Sequence, residues 1–245
     1  MKRIVTVLLL LLMTCLIFTG CGKDSGQVPS GQVTPSATQS ALPTGEVRED
    51  AEAPAQERSL QLGRMDGGVY TNEYIGIGCT LDSGWSFYSA EELQDIPGTV
   101  QEALDGSELA EYMADAQQLT DMMAENVNDL TTMNILYTKL SMQERIAYAA
   151  MDDEAAVDTA LEQMDMLIDS YAQAGINVSS IEKTKVTFLG EERTAIHTSA
   201  TIEDIPYYVL QVFEYDLGQF GVTITFSSYV EDKTGSMPEL FYKLD

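Results

Sequence analysis

Between residues 179 and 229 four β-branched and aromatic runs follow one another, at about 179–188, 193–203, 206–216 and 220–229. The breaks between them, at Gly190, Glu203-Asp204 and Leu217-Gly218, hold only a few residues each. A parallel neighbour needs a crossover of a dozen or more residues, so these runs must pair antiparallel. In the third run Tyr207, Val209 and Phe213 alternate with Tyr208, Leu210 and Val212. Apolar residues on both faces place that strand centrally, covered from both sides.

Upstream, residues 69–82 have strand character broken at Gly76 and Gly78, and Trp85 and Phe87 follow a Ser83-Gly84 turn. Ser89-Ala90-Glu91-Glu92 is a capping box, so a helix starts there and stops before Pro97. A second short helix reaches Asp105-Gly106. Leu109, Tyr112, Met113, Ala116, Leu119, Met123 and Val127 recur at three- and four-residue spacing, which predicts an amphipathic helix over 107–127. A strand is expected over 130–140. A long helix follows over 152–174, with Val157, Leu161, Met164, Ile168 and Tyr171 as its buried stripe and Gly175 as its stop. A terminal helix over 236–244 places Leu240, Phe241 and Leu244 on one side. The fold class is α+β: an antiparallel sheet with helices packed on both faces, formed by residues 68–245.

The preceding residues have a different composition. Lys2 and Arg3 open residues 1–20, and residues 4–18 are an apolar run of signal-peptide length, shorter than the ~20 residues that span a bilayer. The run ends in Phe18-Thr19-Gly20-Cys21, which resembles the lipobox of bacterial lipoproteins; Phe18 stands where leucine is usual. The resemblance implies diacylglyceryl transfer to Cys21, cleavage before it, and anchoring at the extracytoplasmic face of the cell membrane. Cys15 leaves with the signal, so Cys79 keeps the one free thiol and no intramolecular disulfide is possible. Residues 21–67 are rich in Ser, Gly, Pro, Thr, Gln and Ala and read as a disordered linker, spanning on the order of 40 Å as a flexible coil.

The formal charge of −26 excludes a general nucleic-acid binder, since phosphates would be repelled. Its distribution is uneven: residues 65–138 contain no Lys or Arg. Glu154, Asp158, Glu162, Asp165 and Asp169 form one stripe on the long helix, and like charges four residues apart destabilise it. Packing must therefore hold it. The carboxylates suit a solvated face, a basic partner or a weak divalent-cation site; no calcium-loop pattern occurs, and no metal or cofactor ligands are assigned.

Two strings imitate a serine hydrolase of the penicillin-binding type: Ser180-Ile181-Glu182-Lys183 for S-x-x-K, and Lys233-Thr234-Gly235 for K-T-G. They carry the alternative reading of a Ser/Lys hydrolase. His197, the single histidine, falls in a strand and reads as a packed, hydrogen-bonded residue. Cys79 reads as a small buried hydrophobe. Ten of the twelve methionines remain after signal removal, including Met122-Met123 and Met164-Asp165-Met166, and carry a second alternative, copper(I) handling, with the carboxylates as its calcium counterpart. Met113, Met123 and Met164 fall on expected buried stripes, which favours core filling.

Tyr70-Thr71-Asn72-Glu73-Tyr74-Ile75-Gly76-Ile77, followed by Leu81 and Gly84-Trp85, resembles the start of a group of Gram-positive lipoproteins of unknown function with a PsbP-like domain. The resemblance covers about 68–245. It implies an antiparallel sheet with helices on both faces and a non-catalytic binding or assembly role, and it supplies no catalytic residues. The expectation is a lipid-anchored extracytoplasmic module that meets a basic protein or envelope partner.

Overall fold

The computed structural model describes residues 60–89, 92, 109, 112, 116–165, 168–217 and 219–244. The signal, the lipobox, most of the linker and the helices expected before 107 lie outside the described residues, apart from the Ser89 capping box. There Glu92 N–H donates to Ser89 Oγ (3.3 Å) and Ser89 N–H to Glu92 Oε2 (2.9 Å).

The described strands, in chain order, are β1 (Arg64–Asp66), β2 (Val69–Asn72), β3 (Ile77–Thr80), β4 (Trp85–Phe87), β5 (Gln118–Asn126), β6 (Thr131–Lys139), β7 (Ile176–Phe188), β8 (Glu191–Ile202), β9 (Ile205–Leu217), β10 (Phe220–Tyr229) and β11 (Phe241–Lys243). The helices are α1 (Met142–Ala149), α2 (Asp153–Asp165) and α3 (Ile168–Gln173), and Thr234–Leu240 is a 3-10 helix. A seven-stranded sheet has the order β4-β5-β6-β10-β9-β8-β7, and a four-stranded sheet the order β1-β2-β3-β11. All the strand pairs are antiparallel, including the expected meander from β7 to β10. Residues 209–213 of β9 are buried on both faces, as the sequence requires of a central strand.

One face of the large sheet packs on the small one. Met133, Ile135, Val222, Ile224, Phe226 and Val212 meet Tyr70, Cys79, Met237 and Phe241 in a single cluster. Each large apolar side chain buried there contributes about 1.5–3 kcal/mol. Leu109 and Tyr112, both helical, pack against the same cluster. On the other face, Ile196 and Phe213 lie against Tyr148 of α1 and Val157, Ala160 and Met164 of α2. Tyr171 of α3 packs with Tyr207, Ile176, Ala200 and Met123. The expected helical cover is thus found as α1–α3 on one face; on the other the described cover is chiefly a second sheet with a 3-10 helix, beside the helical residues Leu109 and Tyr112, which corrects the expectation of helices as the main layer there.

Four further expectations are corrected. The helix predicted over 107–127 is strand β5 from Gln118 onward. A register shift between Thr120 and Met122 adds one residue, Asp121, so Leu119 and Met122 face inward three positions apart and imitate a helical period. The terminal helix over 236–244 is a 3-10 turn followed by β11, which pairs with β3. Gly78 permits that pairing, because a Cβ there would lie 2.5 Å from the Tyr242 ring. The helix over 152–174 consists of α2 and α3, and Ile168 is 38% exposed rather than part of a buried stripe. Gly175 does end it, at φ +81°. The fold also begins before residue 68: Leu60 is buried and β1 lies in the stretch whose composition reads as linker.

Helix α1 escapes the periodicity reading because Met142 and Ile146 are exposed, at 75% and 65%. Its signal is the capping box Ser141-Met142-Gln143-Glu144, in which Ser141 N–H donates to Glu144 Oε2 at 2.7 Å.

Candidate functional site

Strand alternation brings His197 of β8 to the face of the large sheet that also carries the 3-10 helix, directly across from Glu182 of β7. The turn after β10 supplies Asp232 and Thr234. Together with Lys185 and Glu239 these residues line a groove of about 400 Å³. His197 Nε2 lies 2.8 Å from Asp232 Oδ2 and its Nδ1 lies 3.9 Å from Glu182 Oε1. The imidazole stacks on Tyr208 with ring centroids 6.4 Å apart, and its side chain is 18% exposed. Burial acts to raise the Asp232 carboxyl, but hydrogen bonds from Thr234 Oγ1 (2.7 Å) and Thr234 N–H (3.0 Å), with His197 beside it, hold it below the ordinary range.

This chain of contacts resembles a catalytic triad but has the wrong order. The carboxylate stands between the hydroxyl and the imidazole, whereas a general base must touch the hydroxyl it deprotonates. The Thr234 proton is given to Asp232, and His197 is anchored rather than poised. The arrangement suits binding through a mixed set of donors and acceptors.

The Ser180–Lys183 pairing does not form. A bulge at Ser179 places Ser180 opposite Ser199 and Lys183 opposite Ile196, on opposite faces of the sheet. Lys183 Nζ sits 3.0 Å from Glu154 Oε1 and 2.8 Å from Asp158 Oδ1, and the two carboxylates raise its pKa. An ammonium held charged in this way cannot serve as a base. Lys233 of the K-T-G string binds Asp129 at 2.6 Å.

The same ion pairs explain how the acidic stripe of α2 is tolerated. Lys183 answers two of its carboxylates from β7. Arg193 on β8 meets Asp153 at the helix start with Nε and Nη2 (3.2 and 3.0 Å), while its Nη1 donates to Glu214 at 2.6 Å. Burial acts to lower the Arg193 pKa and to raise that of Asp153. The hydrogen bonds between them win, so the first is raised and the second lowered.

A second polar cluster was missed by the sequence reading. Asp121, the bulge residue of β5, points between the two sheets, where Oδ2 accepts from Tyr70 Oη (2.5 Å) and Asn72 Nδ2 (2.6 Å) and Oδ1 from Gly63 N–H (2.8 Å). Asn72 Nδ2 also donates to Tyr137 Oη at 2.8 Å. Burial raises the Asp121 carboxyl, offset in part by these hydrogen bonds. The one available signal was an aspartate inside Leu119-Thr120-Asp121-Met122-Met123. A carboxylate so fully occupied fastens the sheets together.

The metal readings gain no site. Met122, Met123 and Met164 lie in three different core clusters, so their thioethers cannot converge, and Met166 is outside the described residues. Among the described residues no group of His, Cys, Asp and Glu is placed to hold a metal ion. Cys79 is fully buried and burial pushes its thiol up to about 12, as suits a core residue. No described helix is long and apolar enough to cross a membrane.

No family model and no curated protein matches the chain. Among solved structures it is similar to the solution structure of cyanobacterial PsbP (CyanoP) from Synechocystis sp. PCC 6803, with a TM-score of 0.40 and 10% identity over 78% of this chain and 97% of that chain. A likeness of this size fixes neither family nor function.

Proposed function

We propose that the protein is a lipid-anchored extracytoplasmic module whose domain works by non-catalytic binding of a basic protein or envelope partner at the cell membrane. The observation that carries this reading is Phe18-Thr19-Gly20-Cys21 at the end of a signal-length apolar run, followed by a long polar stretch before the domain. Two acyl chains on Cys21 are enough for stable anchoring, where one is marginal.

The choice of partner rests on charge. The chain carries −26, and Lys183, Arg193, Lys233 and Lys243 are engaged by its own carboxylates. Glu162, Asp169, Glu203 and Asp204 remain exposed. Such a surface attracts cationic partners and is repelled by nucleic acid and by anionic headgroups.

Metabolic labelling with an alkyne fatty acid, followed by detergent phase partitioning, tests the anchor. Wild-type protein takes up label and enters the detergent phase, whereas Cys21→Ser does neither; equal behaviour of the two refutes the anchor. Capture from native membranes tests the partner. A stoichiometric basic protein released by salt supports the reading, and recovery of none at low salt refutes it.

A further inference from the structure

The seven-stranded sheet ends on one side in β7, a strand of 13 residues that pairs with β8 alone. Leu189 and Gly190 make the tight turn that joins the two, at φ +53° and +80°, as a type I′ hairpin requires. Such a turn closes on a hydrogen-bonded pair, here Phe188 and Glu191. Counting back from that pair, the alternation of an antiparallel ladder turns the N–H and C=O groups of Thr187, Lys185, Lys183 and Ile181 away from β8. The register is unbroken over 180–188, so this outward row is regular. Among the described residues no backbone bond outside the sheet ladder reaches residues 177–187.

An open row of this kind is a template for a further strand, and folded proteins usually deter one with lysines, proline or a bulge. β7 has no proline, and its bulge at Ser179 lies beyond the row. Its lysines are drawn over the face that carries α2: Lys183 Nζ lies 3.0 and 2.8 Å from Glu154 and Asp158, and Lys185 Nζ donates to Thr194 Oγ1 at 2.7 Å. The other face is open. The groove of about 400 Å³ beside His197 is lined by residues 184–187, which are consecutive along the strand. Side chains of consecutive residues point to opposite faces, so the groove reaches the backbone edge itself. Asp232 and the 3-10 helix supply the rest of its lining.

Charge selects what can lie there. Glu182, Asp232 and Glu239 line the groove and are exposed, against the single ammonium of Lys185, which Thr194 holds toward the opposite face. A second copy of the chain is a poor match. A two-fold axis sets each residue of β7 opposite one from the same face, so Lys183 and Lys185 on one face and Glu182 on the other could meet only like charges or none. An extended segment with Lys or Arg at alternate positions fits both features, since its backbone pairs with the outward row while its cations enter the groove. We propose that the free edge of β7, with the groove beside His197, binds such a basic segment of a partner protein as one further strand of the sheet. This assignment rests on the reading of the partner as basic and names the surface that meets it.

The test uses the full chain in neutral detergent micelles, with backbone amide resonances and their hydrogen exchange as readout. The probes are a short peptide alternating Lys with Val or Thr, its Glu counterpart, and two N-methylated forms of the Lys peptide, one methylated at the lysines and one at the residues between them. The Lys peptide is expected to shift and protect the amides of Ile181, Lys183, Lys185 and Thr187 saturably, and the Glu peptide to bind more weakly by about 10-fold or more. One of the two methylated forms should lose binding by about 10-fold or more and the other keep it, because a strand bonds an edge through alternate residues. Glu182→Gln with Glu239→Gln should narrow the difference between the Lys and Glu peptides; if that variant does not fold, the peptides alone decide. Outward amides already slow to exchange before peptide is added mean that the chain itself or a second copy covers the edge, and overturn the assignment. Equal binding of the Lys and Glu peptides, or full binding by both methylated forms, overturns it as well. So does a Lys peptide that leaves the β7 amides unmoved at millimolar concentration; if it shifts α2 instead, the acidic surface still meets a basic partner and the β7 site alone is lost.

Discussion

Tyr70→Phe deletes a single oxygen, and the structure sets what that oxygen is worth. Tyr70 is fully buried and its hydroxyl donates to Asp121 Oδ2 at 2.5 Å, leaving Asn72 Nδ2 and Gly63 N–H as the remaining donors to that carboxylate. A hydrogen bond to a charged group contributes about 1.5–3 kcal/mol, and a domain of this size shifts by about 2–4 °C per kcal/mol, so Tm should fall by roughly 3–12 °C. The loss should also depend on pH. Burial raises the Asp121 carboxyl above its usual value, against the hydrogen bonds that lower it. A raised folded-state pKa means that the stability Asp121 adds is fully present below the unfolded pKa and is lost as pH rises through the folded one. Removing the Tyr70 hydroxyl lifts that folded pKa further, so the variant loses more at about pH 8 than at about pH 5. Urea unfolding followed by the fluorescence of Trp85, the single tryptophan, measures both values. Adding Asp121→Asn completes a double-mutant cycle. A loss below about 0.5 kcal/mol, or one larger at the acidic pH, refutes the account of Asp121 as a charge fastened between the sheets.

Other perturbations give equally definite outcomes. Val230 holds φ +72° while 60% exposed, so Val230→Gly relieves left-handed strain with little packing to lose; a net gain of about 0.5–1 kcal/mol is expected after the entropy cost of glycine, and a lower Tm would refute it. Arg193→Lys cannot reproduce the forked contact with Asp153 together with the Glu214 bond, and should cost about 1–2 kcal/mol in urea unfolding at neutral pH. Because the Asp153 carboxyl is lowered in the fold, its contribution is present above the unfolded pKa and disappears as pH falls through the folded one; Asp153→Asn should therefore destabilise at neutral pH and much less in acid, as paired acid and neutral melts would show. Cys79, buried and with its thiol raised to about 12, should resist alkylation in folded Cys15→Ser/Cys21→Ser protein and react only as fast as the domain opens, which mass spectrometry over time can follow.

The reading of β5 shows where sequence periodicity fails. Leu119 and Met123 have helical spacing, yet they belong to cores on opposite faces of a strand buried on both sides, and only pairing with β6 distinguishes strand from helix. The C-terminus fails in another way. Leu240 and Phe241 look like one face of a helix until Phe241 pairs with Cys79 and joins the small sheet. By contrast, the meander from β7 to β10 was legible, because short turns leave antiparallel pairing as the one geometric option. Part of the His197 site was also visible, as a lone strand histidine expected to be hydrogen-bonded. Its partners Glu182, Asp232 and Tyr208 lie 15, 35 and 11 residues away along the chain and converge only by register and turn geometry.

By itself, then, the sequence determined the antiparallel meander, the central position of β9, the excess of acid and the lipobox-like Cys21, because turn length, alternation, charge and short motifs are local properties. Tertiary structure alone decided what lies opposite what. It set Lys183 and Arg193 against the carboxylates of α2 and separated Ser180 from Lys183 by one strand face. It also seated Asp121 between two sheets and buried the threonine-rich face of β6 and β10. Whether a polar side chain meets water, a partner or neither depends on the layer packed above it, and that layer is supplied by residues distant in sequence.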